Sequence, residues 1–107
     1  MIAYITELNN ENYQSIIESG EVVLVDIWAP WCKSCLNLSP IIDELSADYQ
    51  GQVVFGKLDA DQSKEIAGPL GIRSIPTILI YKNGEIVERN SGLIQKQKLA
   101  ELINKHI

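Results

Sequence analysis

Val22-Val23-Leu24-Val25-Asp26-Ile27-Trp28-Ala29-Pro30-Trp31-Cys32-Lys33-Ser34-Cys35 is the stretch from which the fold can be read. Residues 22–28 are apolar on both alternating faces apart from Asp26. A strand covered on both sides reads this way, which places it at the centre of a sheet. Ala29-Pro30-Trp31 then breaks the strand. Leu38, Ile41, Ile42, Leu45 and Tyr49 follow at spacings of three and four, which predicts a helix from near Cys32 to Tyr49. Pro40 lies inside it and should kink it, because proline removes a backbone donor and crowds the preceding turn. Gly51 ends that helix.

Outward from this βα unit, Ala3 to Glu7 reads as a short edge strand. Asn9 or Asn10 can cap a first helix running to about Glu18, with Ile16 and Ile17 facing the core. Val53 to Leu58 is a third strand, and Ser63 to Leu70 a short helix whose end Gly68-Pro69 weakens. Thr77 to Tyr81 is a fourth strand. Asn83-Gly84 signals a hairpin, because both central turn positions want positive φ, and Glu85 to Arg89 returns as a fifth strand. Leu99, Leu102 and Ile103 mark a last amphipathic helix. The expected class is α/β: a central mixed five-stranded sheet flanked by four helices on both faces, in the order βαβαβαββα.

A chain of 107 residues fits one domain spanning its whole length. Hydrophobic residues make up 46% and charged residues 21%, which argues against disorder. The net charge of −5 disfavours a nucleic-acid partner, which needs a basic patch. No apolar run of about 18 residues is present, so no membrane partner is expected. The start, Met-Ile-Ala-Tyr-Ile-Thr-Glu, lacks the basic end and apolar stretch of a signal peptide, and the expected location is the cytoplasm.

With two cysteines, a four-thiolate zinc site within one chain is impossible. The single histidine, His106, is the penultimate residue, so a mixed zinc site would need a dimer or carboxylates. Cys32 and Cys35 both fall at the start of the second helix. Residues three apart there lie about 5–6 Å apart at Cβ, and a disulfide wants about 3.5–4.5 Å, so small adjustments open or close it. The helix N-terminus concentrates unpaired N–H groups and positive potential, which stabilises a thiolate. Cys32, at the edge, is expected to be the exposed low-pKa nucleophile, and Cys35, one turn in, the shielded resolving thiol. Taken alone, Cys-x-x-Cys also fits two inert buried cysteines or half of a zinc site. The βα context and the lack of other ligands favour redox chemistry.

Trp28-Ala29-Pro30-Trp31-Cys32-x-x-Cys35, then Pro40, Lys57-Leu58-Asp59-Ala60-Asp61, Gly71-Ile72-Arg73-Ser74-Ile75-Pro76-Thr77 and Lys82-Asn83-Gly84 resemble the thioredoxin family in order and spacing across nearly the whole chain. The resemblance implies protein-disulfide reduction by dithiol–disulfide exchange, with no bound cofactor, no metal and the Cys32–Cys35 disulfide as the redox group. It implies protein disulfides as substrates, a thioredoxin reductase as electron donor, and a monomer. Asp26 is a carboxylate in an apolar strand, and burial would raise its pKa. By itself it could also reach solvent or a backbone donor; the resemblance makes it a buried acid that exchanges a proton with Cys35. Lys57 is implied to modulate that titration. Pro76 is implied to be cis and packed on the cysteines, exposing the Ile75 backbone to an extended substrate. Trp31, Ile75 and Gly92 are implied to form the substrate contact surface.

Three features depart from the family pattern. Lys33-Ser34 replaces the usual Gly-Pro, Leu36 stands where a basic residue is common, and Gly68-Pro69 is unusual in the short helix. A cation at Lys33 and a hydroxyl at Ser34 can each stabilise a Cys32 thiolate and so raise the reduction potential. A specialised oxidant or isomerase and a non-catalytic binding module are the alternative readings.

Overall fold

The computed structural model describes residues 4–107, so the Ala3 end of the expected edge strand lies outside the described residues. In chain order the elements are β1 (Ile5–Leu8), α1 (Tyr13–Ile17), β2 (Val22–Trp28), α2 (Lys33–Asp48), β3 (Val54–Asp59), α3 (Lys64–Ala67), β4 (Thr77–Lys82), β5 (Glu85–Ser91) and α4 (Lys96–Asn104). The sheet order is β1-β3-β2-β4-β5. β1 and β2 each pair parallel with β3, whereas β4 is antiparallel to β2 and β5 to β4. The sheet is therefore mixed, with β2 at its centre.

The two-residue alternation of β2 divides the interior in two. Val22 and Leu24 pack with Phe55, Ile80, Leu38 and Leu99, joining the sheet to α2 and α4. Val23, Val25 and Ile27 pack with Leu58, Leu79, Tyr13 and Ile17, joining its other face to α1. On that second face the buried Tyr13 and Tyr81 hydroxyls hydrogen-bond, with their rings edge to face at 6.2 Å. Burial raises both phenol pKa values.

Two helices are shorter than the sequence pattern predicts. Asn9 opens a turn rather than a helix: its Oδ1 accepts from the N–H groups of Glu11 and Asn12 at 2.8 and 2.9 Å. Regular helix begins only at Tyr13. α3 stops at Ala67, because Pro69 has no N–H to continue the ladder, and the chain turns through Gly71 at φ +69°. α2, by contrast, stays helical through Pro40. The hairpin has the expected geometry, with Asn83 at φ +52° and Gly84 at φ +84°.

This topology brings four chain segments to one end of the sheet. β2 ends at Trp28 and leads into α2, while antiparallel pairing of Ile27 with Thr77 sets the segment before β4 beside it. Pairing of Thr77 with Ser91 adds Gly92, and pairing of Trp28 with Asp59 adds Ala60 and Asp61. Crevices outside the carboxyl ends of strands are where open α/β sheets place their chemistry.

Candidate active site

Cys32 is the N-cap of α2, extended at φ −90° and ψ +109°, and Cys35 lies in the first turn. The two form a disulfide with their Cα atoms 5.2 Å apart. Cys32 Sγ also accepts the Cys35 backbone N–H at 3.2 Å. The cap is therefore made by sulfur, which places the sulfur at the positive end of a sixteen-residue helix whose first turn holds no acidic side chain.

Cys32 is less open than the sequence suggests, at 7% exposed against 2% for Cys35. Both pack with Ala29, Trp28 and Ile75, so the nucleophile candidate keeps only a narrow opening in the oxidised state. Its Sγ lies 3.8 Å from the Ile75 carbonyl oxygen. The Ile75–Pro76 peptide is cis, and the Gly92 N–H donates to the Pro76 carbonyl at 2.8 Å. Ile75 thus packs against the cysteine pair, and Gly92 is tied to the adjoining Pro76. Trp31 is 71% exposed, and its indole N–H donates to Asp61 Oδ2 at 2.6 Å. Asp61, thirty residues away in sequence, is the fixing partner that no local signal indicates.

Asp26 is 1% exposed, and neither of its carboxyl oxygens has a hydrogen-bond partner. Burial pushes its pKa from 3.8 up to about 7; the Lys57 ammonium opposes that rise and the Asp43 carboxylate adds to it. Lys57 is the register neighbour of Asp26 on β3, yet its ammonium lies 4.3 Å above the Trp28 ring. Its influence on Asp26 is through-space charge, while its own contact is cation–π. Lys33 and Ser34 stand on the exposed first turn of α2. Neither side chain makes a hydrogen bond or ion pair among the described residues. The polar contact made to Cys32 Sγ from this turn is the Cys35 amide.

Among the described residues, no three His, Cys, Asp or Glu side chains converge as a metal set, and no helix is long and apolar enough to cross a membrane. The thioredoxin family profile matches residues 4–105. The chain is 44% identical over 102 residues to a thioredoxin of Chlorobaculum thiosulfatiphilum, covering 94% of each. It is 39% identical over 103 residues to a thioredoxin of Bacillus subtilis, covering 96% of this chain and 98% of that one.

The chain belongs to the thioredoxin family.

A solved mutant thioredoxin from Halobacterium salinarum superposes with a TM-score of 0.88 at 28% identity, covering 95% of this chain and 89% of its own. The mixed five-stranded sheet with four helices is thus the thioredoxin fold, and the protein is a thiol–disulfide oxidoreductase whose redox group is a Cys-x-x-Cys disulfide. Within that family frame, Lys33-Ser34 lies between the two cysteines and the exposed Leu36 directly follows them.

Proposed function

We propose that the protein reduces disulfides of other proteins, with Cys32 as attacking thiolate, Cys35 as resolving thiol and Asp26 as the acceptor of the Cys35 proton. The carrying observation is the asymmetry of the pair. Cys32 caps α2 beside the Ile75 backbone, whereas Cys35 lies inside the helix and is almost fully covered. The Cys32 thiolate attacks one sulfur of the target, forms a mixed disulfide and expels the other target sulfur, which takes up a proton. Cys35 then gives its proton to the Asp26 carboxylate and attacks Cys32 Sγ. The target leaves with both its sulfurs reduced, and the protein keeps the Cys32–Cys35 disulfide. Reduction gives Cys35 the S–H donor that the disulfide lacks, on a chain whose buried Asp26 oxygens have no other donor. An Asp26 pKa of about 7 leaves part of the population ionised and able to accept that proton near neutral pH.

Trp31, Ile75 and Gly92 supply the surface against which an extended target segment lies, with the Ile75 backbone available for strand-like pairing. A thioredoxin reductase restores the dithiol. The working form in this reading is a cytoplasmic single-domain monomer that needs no bound cofactor; the support is the family's behaviour. Limited alkylation of the reduced protein tests the assignment: Cys32 should be modified first by at least about tenfold, following its thiolate character and exposure. Faster modification of Cys35 would reverse the roles.

Lys33 and Ser34 poise the pair toward a less reducing potential than a Gly-Pro turn would give. Lys33 is exposed, so its attraction to a thiolate is worth about 0.2–1 kcal/mol. A hydrogen bond that the Ser34 hydroxyl forms to the thiolate only on reduction would add a comparable amount. About 1.4 kcal/mol corresponds to about 30 mV for a two-electron couple. Replacing Lys33-Ser34 by Gly-Pro should therefore raise the Cys32 pKa and lower the potential by about 30 mV, read by equilibration against glutathione. Equal potentials for the two proteins would remove this role from the pair. The same measurement separates a general reductase, near about −270 mV, from a specialised oxidant, near about −120 mV.

A further inference from the structure

Trp31 and Ile75 line a groove of about 310 Å³ together with Ile72, Lys64 and Arg73. Three charged side chains line it, and they are not equivalent. Asp61 has one carboxyl oxygen engaged by the Trp31 indole at 2.6 Å. Lys64 and Arg73 are both exposed and form no ion pair or side-chain hydrogen bond among the described residues. Glu65, the carboxylate adjacent to Lys64 in sequence, accepts from Asn10 Nδ2 at 2.9 Å. The groove lining therefore carries one net positive charge on a chain whose formal charge is −5.

We propose that Lys64 and Arg73 make the protein prefer disulfides whose cysteine is flanked by Asp or Glu in the extended segment that enters this groove. The proposal rests on the protein-disulfide reading of the site and names the substrate class within it. A segment laid along the Ile75 backbone passes into the groove, because Ile75 belongs to both. A groove of about 310 Å³ has room for about two residues of extended chain, which rises about 3.3 Å per residue. With the scissile cysteine at Cys32 and its neighbour on the Ile75 backbone, the residues in the groove are the second and third from that cysteine. The apolar lining from Trp31 and Ile72 accepts any side-chain stem, so charge is the feature left to discriminate. Each exposed cation contributes a factor of about 2–5 toward a facing carboxylate, and the two together about tenfold. The whole-molecule field of an acidic protein works against an acidic substrate. A preference for acid thus has to come from the groove itself.

The test uses three disulfide peptides that differ only at the second and third residues from the cysteine, which are Glu, Gln or Lys. At about 20 mM ionic strength the wild-type protein should show kcat/KM about tenfold higher for the Glu than for the Lys peptide. The ratio should shrink to about twofold at 0.5 M salt, where screening is nearly complete beyond about 4 Å. In the Lys64→Gln, Arg73→Gln double variant the ratio at low salt should fall to parity or invert. A flat charge series in the wild type, with the Gln peptide turned over normally, overturns the preference and leaves the reductase reading standing. A Glu preference that survives in the double variant also overturns it. Failure to reduce any of the three peptides would count against the reductase reading itself, and the preference would fall with it.

Discussion

Cys32→Ser should reduce protein-disulfide reduction by about a thousandfold or more, to the uncatalysed background, with the fold unchanged. A serine hydroxyl at the N-cap can still accept the Cys35 N–H, so α2 keeps its cap while the nucleophile is lost. No neighbouring base could restore it: the buried carboxylate at Asp26 has no hydrogen-bond contact with position 32, and a hydroxyl is far weaker than a thiolate near neutral pH. Loss of an essential nucleophile in other enzymes costs several orders of magnitude, which sets the scale. Cys35→Ser should behave differently. Attack by Cys32 still proceeds, but nothing resolves the product, so a covalent mixed disulfide accumulates. Intact-mass measurement after mixing with a protein disulfide reads both results. Substantial turnover by the Cys32→Ser protein, or an adduct on Cys35 in the wild type, would overturn the assignment. A non-catalytic binding module would keep its partner in both variants.

The second large effect concerns stability. The stability of Asp26→Asn relative to wild type should rise with pH, by about 4 kcal/mol between pH 4 and pH 9. The Asp26 carboxyl has its pKa raised by burial from 3.8 to about 7, so folding favours its protonated form. The stability associated with that proton is present in full below about pH 4 and is lost as pH rises through about 7. A rise from 3.8 to about 7 corresponds to about 4 kcal/mol. Asparagine keeps the shape and cannot ionise. Its amide still lacks partners, which costs about 1–3 kcal/mol at every pH and shifts the whole difference without changing its slope. Urea unfolding of both proteins across this range gives the comparison. A difference independent of pH would show that Asp26 titrates normally in the folded state. The same substitution removes the proposed proton acceptor for Cys35, so the gain in stability should come with slower release of the reduced target.

Much of this architecture is legible in the sequence because it depends on periodicity and turn chemistry. The apolar run of β2, interrupted only by Asp26, marks the centre of the sheet, and that carboxylate stands out as one that burial would perturb. Asn83-Gly84 marked the hairpin with the φ values it adopts. What was not legible depends on side-chain choices made in three dimensions. Lys57 is implied by the resemblance to modulate Asp26, and its charge does act on that carboxyl, but only the packed structure shows its ammonium seated over the Trp28 ring. Asp61 meets Trp31 because β2 and β3 end together, a contact that no spacing rule encodes. Cys32 is more covered than its place at a helix edge implies, since Ile75 arrives from a segment forty-three residues downstream. The helix ends were misplaced at Asn9 and beyond Ala67, where side-chain turns and Pro69 compete with regular structure.

The hairpin has a practical consequence for protein engineering. β4 begins beside the cysteines at Thr77 and runs away from them for six residues, about 20 Å of extended chain, before it turns at Asn83-Gly84. The tip of that turn is therefore a natural splice point for a fluorescent reporter or a surface tether. Cargo attached there hangs from the pole opposite the redox pair and leaves the approach of a partner protein unobstructed.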